Sequence, residues 1–242
     1  DTLSLHDALP ILSINQPLAE SAEGNDFFGN RYRDFAINTP HRLLDVRAQM
    51  DVSVRAPLWP SDSVIWAGTS LARRTFDPAD SEGTAFALAC AAYLVDSPMI
   101  PSLPEAKAWA LAHLGIGKPL HQQLLVMTQA MREEFVFDPE ATTVGTPLAD
   151  VFQHKRGVCQ DFAHVLLQLL RTAVIPSRYV SGYICPNESG LRGEGATHAW
   201  VEIYSPIQGW LGLDPTNNIW TMDNHVKLSV GRNFYDCTLV KI

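Results

Sequence analysis

The 242-residue sequence predicts an α+β fold in which helices pack on an antiparallel sheet, preceded by a small N-terminal β region. Three observations carry that prediction. Helical apolar spacing fills roughly 105–174, and strand-like segments follow over 178–213, so helices and strands are segregated rather than alternating. One helical stretch, 158–174, is apolar on nearly every side and must be buried. Two of the strand segments are separated by a hairpin-length loop.

Taken in order, residues 1–12 lack an initiator Met and read as a non-native leader lying outside the fold. Residues 13–60 read as the remnant of a β region. Asp26-Phe27-Phe28-Gly29-Asn30 ends in a turn signal, Arg31–Ile37 is a short strand, and Arg42–Val54 places Leu44, Val46 and Ala48 on one parity. The catalytic core is expected over 61–242, truncated at its C-terminus. Short helices are expected over 62–73 and 85–94. A further helix opens at Leu103-Pro104-Glu105, with Pro near its first turn, and runs to about His113. Leu120, Leu124, Met127 and Met131 recur at helical spacing within 118–135. Thr146-Pro147 reads as an N-cap followed by Pro at the first helical position, starting a helix to about Lys155. Pro176 ends the apolar helix, and strands are expected over 178–184, 197–204 and 209–213.

Composition narrows the function classes. Eighteen basic against 26 acidic residues give a net charge of −8, with no basic stretch, which argues against a nucleic-acid partner. No apolar run approaches the ~20 residues of a membrane helix, so no membrane partner is expected. The four cysteines, Cys90, Cys159, Cys185 and Cys237, form no C-x-x-C pair. They read as reduced thiols, which points to the cytoplasm, and they call for no metal and no cofactor.

Cys159 follows Gly157-Val158 at the first turn of the buried helix. The unsatisfied N–H groups and the dipole at that end favour an anion, hence a nucleophilic thiolate. The bland alternative is a small buried hydrophobe. Along Thr197–Tyr204, His198, Trp200, Glu202 and Tyr204 share one face, and Ala199, Val201 and Ile203 take the core face. Asp214 closes the next strand at a turn sequence, Asp214-Pro215-Thr216-Asn217. The midpoint of 198 and 214 is 206, inside the connecting loop, so His198 and Asp214 are near cross-strand neighbours on one face. A carboxylate beside an imidazole fixes its tautomer and supports the imidazolium. Cys159, His198 and Asp214 thus form a nucleophile–base–orienter set.

The segments Gly157-Val158-Cys159-Gln160-Asp161-Phe162-Ala163-His164, Thr197-His198-Ala199-Trp200-Val201-Glu202 and Gly209-Trp210-Leu211-Gly212-Leu213-Asp214-Pro215-Thr216-Asn217 resemble the transglutaminase-like superfamily. The bacterial branch with an N-terminal β region fits best, and Val230-Gly231-Arg232-Asn233-Phe234-Tyr235-Asp236 fits it too. The resemblance implies a papain-like α+β core and covalent thiol catalysis, with nucleophile, base and orienting acid on Cys159, His198 and Asp214. It implies acyl transfer or hydrolysis at a peptide, isopeptide or carboxamide bond of a peptide or protein substrate, hydrolysis slightly favoured. The alternatives are a thioester-donor acyltransferase and a non-enzymatic binding module. Gln153, His154 and the Cys159 backbone N–H are candidate oxyanion donors, the backbone N–H being the favoured one. Trp200 and Trp210 are candidates to line an acyl groove or, equally, to pack in the interior. Asp161 is placed to cap the helix, and His164 reads as structural.

Overall fold

In the computed structural model, residues 11–55, 59–65, 90–185, 190–205 and 207–238 are described. The chain divides after Arg55 into two compact units, five residues before the boundary expected from sequence. Residues 66–73 of the helix expected over 62–73 and residues 85–89 of that expected over 85–94 lie outside the described residues; the described 62–65 are turn and bridge rather than helix, while Cys90 and Ala91 are helical.

The N-terminal unit is two antiparallel ribbons. Strand β1 (Ile11–Ile14) pairs with β4 (Val46–Gln49), and β2 (Glu20–Asn25) pairs with β3 (Arg31–Ala36). Asp26 makes the β2–β3 turn: its Oδ1 accepts from the N–H groups of Phe28 and Asn30, each at 2.8 Å, and Gly29 takes φ 84°. Two expectations are corrected. Ile11 and Leu12, assigned to the leader, pair with Gln49 and Ala48, so the ordered strand begins inside the segment set aside. The strand expected over 42–54 shortens to four residues, all exposed, because no core lies beneath it to reward the longer alternation.

The larger unit holds helices α1 (Pro104–His113), α2 (Leu120–Glu134), α3 (Leu148–His154) and α4 (Cys159–Thr172). Pro104 occupies the first turn of α1 as expected. At α3 the N-cap falls on Pro147 rather than Thr146, whose Oγ1 instead accepts from Thr143 N–H. Helix α4 is buried at every residue from Asp161 to Arg171, which explains why its sequence leaves so little polar face.

Strands β7 (Ser177–Ile184), β8 (Thr197–Ser205), β9 (Gly209–Asp214), β10 (Ile219–Trp220) and β11 (His225–Gly231) form one antiparallel sheet in the order β10-β9-β8-β7-β11. A short parallel pair, β5 (Val136–Phe137) with β6 (Arg156–Gly157), ties the end of α2 to the start of α4. Ala199, Val201 and Ile203 join the core with Phe162, Leu166 and Leu170 of α4. The other face of β8 is buried too, which the alternation did not foretell. There Glu202 receives Arg178 at 2.6 Å and Lys227 at 2.8 Å, a buried carboxylate held by two cations that keep its pKa low against the opposing effect of burial.

Gly182 is required by packing. A Cβ there would collide with the Val226 carbonyl of β11 and lie 2.5 Å from the Trp200 ring. Neither neighbour can yield without parting β7 from β11. Gly182→Ala is therefore expected to destabilise the protein by about 3 kcal/mol, as overpacking does. The measurement is the urea midpoint, which should fall at unchanged slope.

Candidate active site

The start of α4 is fixed by its own first turn. Val158 is extended, and Asp161 accepts its N–H at 2.8 Å. The same carboxylate oxygen accepts Thr142 Oγ1–H at 2.6 Å. Burial pushes the Asp161 pKa up, and these two donors oppose the rise. Gly157 makes room for this cap, since a side chain there would strike the Asp161 carboxylate. The expected cap is thus present, and it holds Cys159 at the first helical position, where backbone N–H groups lack intrahelical partners.

His198 and Asp214 come together as expected. His198 Nε2 donates to Asp214 Oδ2 at 2.9 Å, and both side chains are fully buried. The hairpin register differs slightly from the midpoint estimate. Val201 pairs with Leu213, which places Asp214 level with Trp200 and diagonal to His198, still on the same face. Asp214 is saturated with donors: Oδ1 takes the N–H groups of Thr216 at 2.9 Å and Asn217 at 3.2 Å, and Oδ2 takes Asn217 Nδ2–H at 2.7 Å. Burial alone would raise its pKa, but the bonds from His198, His225 and Asn217 overcome that and hold it well below the usual carboxylate range.

The protonation of His198 is settled by a similar contest. Burial disfavours the imidazolium, while Asp214 and the nearby Cys159 thiol favour it, and the balance lifts the pKa to about 9. His198 Nδ1 is buried and closes no hydrogen bond. Nδ1 is packed under Gly193, where a Cβ would sit 2.5 Å away; Gly193 also has φ 92°. Only glycine meets both demands.

Two other residues build the site without having been singled out. The Asn217 amide donates to Asp214 and to the Arg192 carbonyl at 3.1 Å, and accepts the Arg192 N–H at 2.9 Å. It joins the glycine-rich 190–195 segment to the carboxylate. His225 brings Nε2 to 3.5 Å from Asp214 Oδ2. Asn217 stood in view within the turn motif, but a hydrogen bond to a distant segment has no local signal. His225 could be placed only once β11 was known to pair with β7.

The two groove candidates are corrected. Trp200 is 2% exposed and packs against both His198 and His225, so it is a packing residue rather than a groove wall. Trp210 pairs with Tyr204, six residues along β8 from His198 and so roughly 20 Å away. There it lies under Arg178. His154 Nδ1 lies 2.9 Å from the Asp150 carbonyl, and with Asp138, Glu140 and Arg156 the residue lines a cavity of about 440 Å³. His164 is structural as expected: its Nε2 accepts Phe234 N–H at 3.2 Å, and burial with Arg171 drives its pKa down to about 3. Among the described residues no group of three or more His, Cys, Asp or Glu could hold a metal ion.

Comparison with known proteins agrees with this geometry. Residues 113–215 match the model of the transglutaminase-like superfamily. An uncharacterised protein of Mycobacterium tuberculosis is 29% identical over 234 residues, 93% of this chain and 72% of its own length. A protein-glutamine γ-glutamyltransferase of Pseudomonas aeruginosa is 35% identical over 111 residues, 41% of this chain but only 17% of that protein. A crystal structure of a candidate cysteine protease from Cytophaga hutchinsonii superposes with a TM-score of 0.67 at 20% identity, over 97% of this chain and 73% of that one. That likeness shows a shared fold.

Proposed function

From a chain whose residues 113–215 match the transglutaminase-like superfamily, we propose a thiol enzyme that cleaves a peptide, isopeptide or carboxamide bond through an acyl-thioester on Cys159. The observation that carries this reading is the buried His198–Asp214 pair, its imidazolium favoured, beside a cysteine at a helix N-terminus. The Cys159 thiolate attacks the carbonyl carbon, and first-turn N–H groups, that of Cys159 among them, face the developing oxyanion. Collapse breaks the C–N bond as the His198 imidazolium gives its proton to the leaving nitrogen. Neutral His198 then takes a proton from water, whose oxygen attacks the thioester and releases the acid and the thiolate. An amine in place of water gives transfer, and the similarity to a γ-glutamyltransferase favours testing it. The test incubates the protein with glutamine- and lysine-containing peptides. It follows ammonia release, peptide cleavage and incorporation of a primary amine, with mass spectrometry of the Cys159 adduct. No adduct and no product in any arm overturns the reading.

The raised pKa of His198 gives a pH prediction. Acylation needs the imidazolium, so kcat/KM should hold through neutrality and fall on the basic side near pH 9, not near the ordinary 6.5. The same shift affects stability. Its folded pKa lies above the unfolded one, so its contribution is complete below about pH 6.5 and is lost as pH rises through about 9. A basic limb at 6.5 would contradict the assignment.

A further inference from the structure

Resting on that reading, we infer that His225 is a positioning residue: a second, neutral histidine that donates to Asp214 and shares its charge with His198. Both imidazole Nε2 atoms address the same oxygen, Asp214 Oδ2, at 2.9 Å from His198 and 3.5 Å from His225. The register explains how they meet. Gly182 pairs with His198 and with Lys227, and Ile184 pairs with His225, so the two histidines project from one face. Strands β9 and β11 lie three places apart in the sheet, about 14 Å if it were flat. Their side chains converge because the bare Gly182 lets Trp200 lie across β7. The edge of one ring meets the face of the other between Trp200 and His225, with centroids 5.4 Å apart.

The tautomer of His225 follows from its other nitrogen. Nδ1 accepts the Met222 N–H at 3.2 Å. Asn224 Oδ1 lies 3.0 Å from that same Nδ1, and Asn224 Nδ2 is buried without a partner. Exchanging the two ends of the amide turns this contact into an N–H directed at Nδ1, so neither neighbour calls for a proton there. The proton then belongs on Nε2, aimed at Asp214. His225 is 4% exposed, and among the described residues the ionisable groups in contact with it are His198 and Asp214. Cys159 acts on His198 from α4, and the Asn217 amide brings the Arg192 backbone to Asp214.

Withdrawing this donor concentrates the carboxylate charge on His198. The test compares two substitutions. His225→Asn retains an oxygen where Nδ1 stood and loses the Nε2 donor; His225→Gln retains a donor near Nε2. Wild type and both variants are titrated by NMR of ¹⁵N-labelled histidine rings, and Cys159 alkylation by iodoacetamide is followed in parallel. Wild-type His225 should show a proton on Nε2. The His198 titration should move up by about one unit in His225→Asn, the size of one hydrogen bond to a charged group, and stay near wild type in His225→Gln. A change in folded fraction alone would move neither titration. A proton on Nδ1 of wild-type His225 overturns the inference even if both variants fail to fold, and so does an unmoved His198 titration in a folded His225→Asn. If wild-type Cys159 alkylates independently of the His198 titration, the enzyme reading itself fails, which separates the two outcomes.

Discussion

Cys159→Ser is expected to abolish turnover while leaving the fold intact. The substitution changes one atom at the first position of α4, where the Val158–Asp161 cap does not involve the sulfur and Cys159 packs against the core only at its partly buried edge. A hydroxyl is far less acidic than a thiol, and an imidazolium partner cannot accept a proton from it. With His198 already favouring the protonated state, a serine would meet an acid rather than a base. Loss of the covalent step should cost on the order of 10⁴ or more in kcat/KM. The melting temperature should shift little. The measurement is product formation on whichever peptide the wild type accepts, with intact mass to exclude contaminating activity. Retained turnover in the serine protein would place the nucleophile elsewhere.

Asp214→Asn is expected to reduce both activity and stability. In a serine-protease triad the equivalent change costs on the order of 10⁴ in rate. The loss here should be nearer 10²–10³, because a thiolate needs less help from its base. The stability effect has a separate cause. Asp214 accepts five donors in a fully buried setting. An amide turns one acceptor into a donor facing N–H groups and leaves His198 without a counter-charge. Breaking one side of a buried pair costs about 3–5 kcal/mol. The penalty also depends on pH. The folded Asp214 pKa is lowered, so its contribution is present above the unfolded value and is lost as pH falls from there toward the depressed folded value. Wild type and variant should therefore converge in stability toward strongly acidic pH. Constant separation of their denaturation midpoints down to pH 2 would contradict this.

How far the sequence was legible depended on whether the signal was local. The burial of α4 was written in Phe162, Val165, Leu166, Leu169 and Leu170. The His198–Asp214 pairing followed from loop length and strand parity, two quantities that survive a register shift of one pair. Trp210 was misread because parity says which face a side chain takes but not how far along the strand it lies from the reacting atoms. Trp200 stayed open between groove and packing because alternation cannot tell that both faces of β8 are covered. His225 and Asn217 were illegible for a different reason: each acts through contacts with segments distant in sequence, and the order β8-β7-β11 is a property of the folded sheet.

The Asn217 side chain has a consequence for how the molecule fluctuates. One amide holds the Arg192 backbone by two hydrogen bonds and Asp214 by a third. Lifting the 190–195 segment frees that amide to rotate and uncovers His198 Nδ1, which Gly193 otherwise roofs. Local opening there and loss of order at the carboxylate are thus one equilibrium rather than two. The protection of the Arg192 amide against hydrogen exchange then measures the fraction of molecules whose histidine is correctly held. Apparent substrate affinity is reduced by that same fraction.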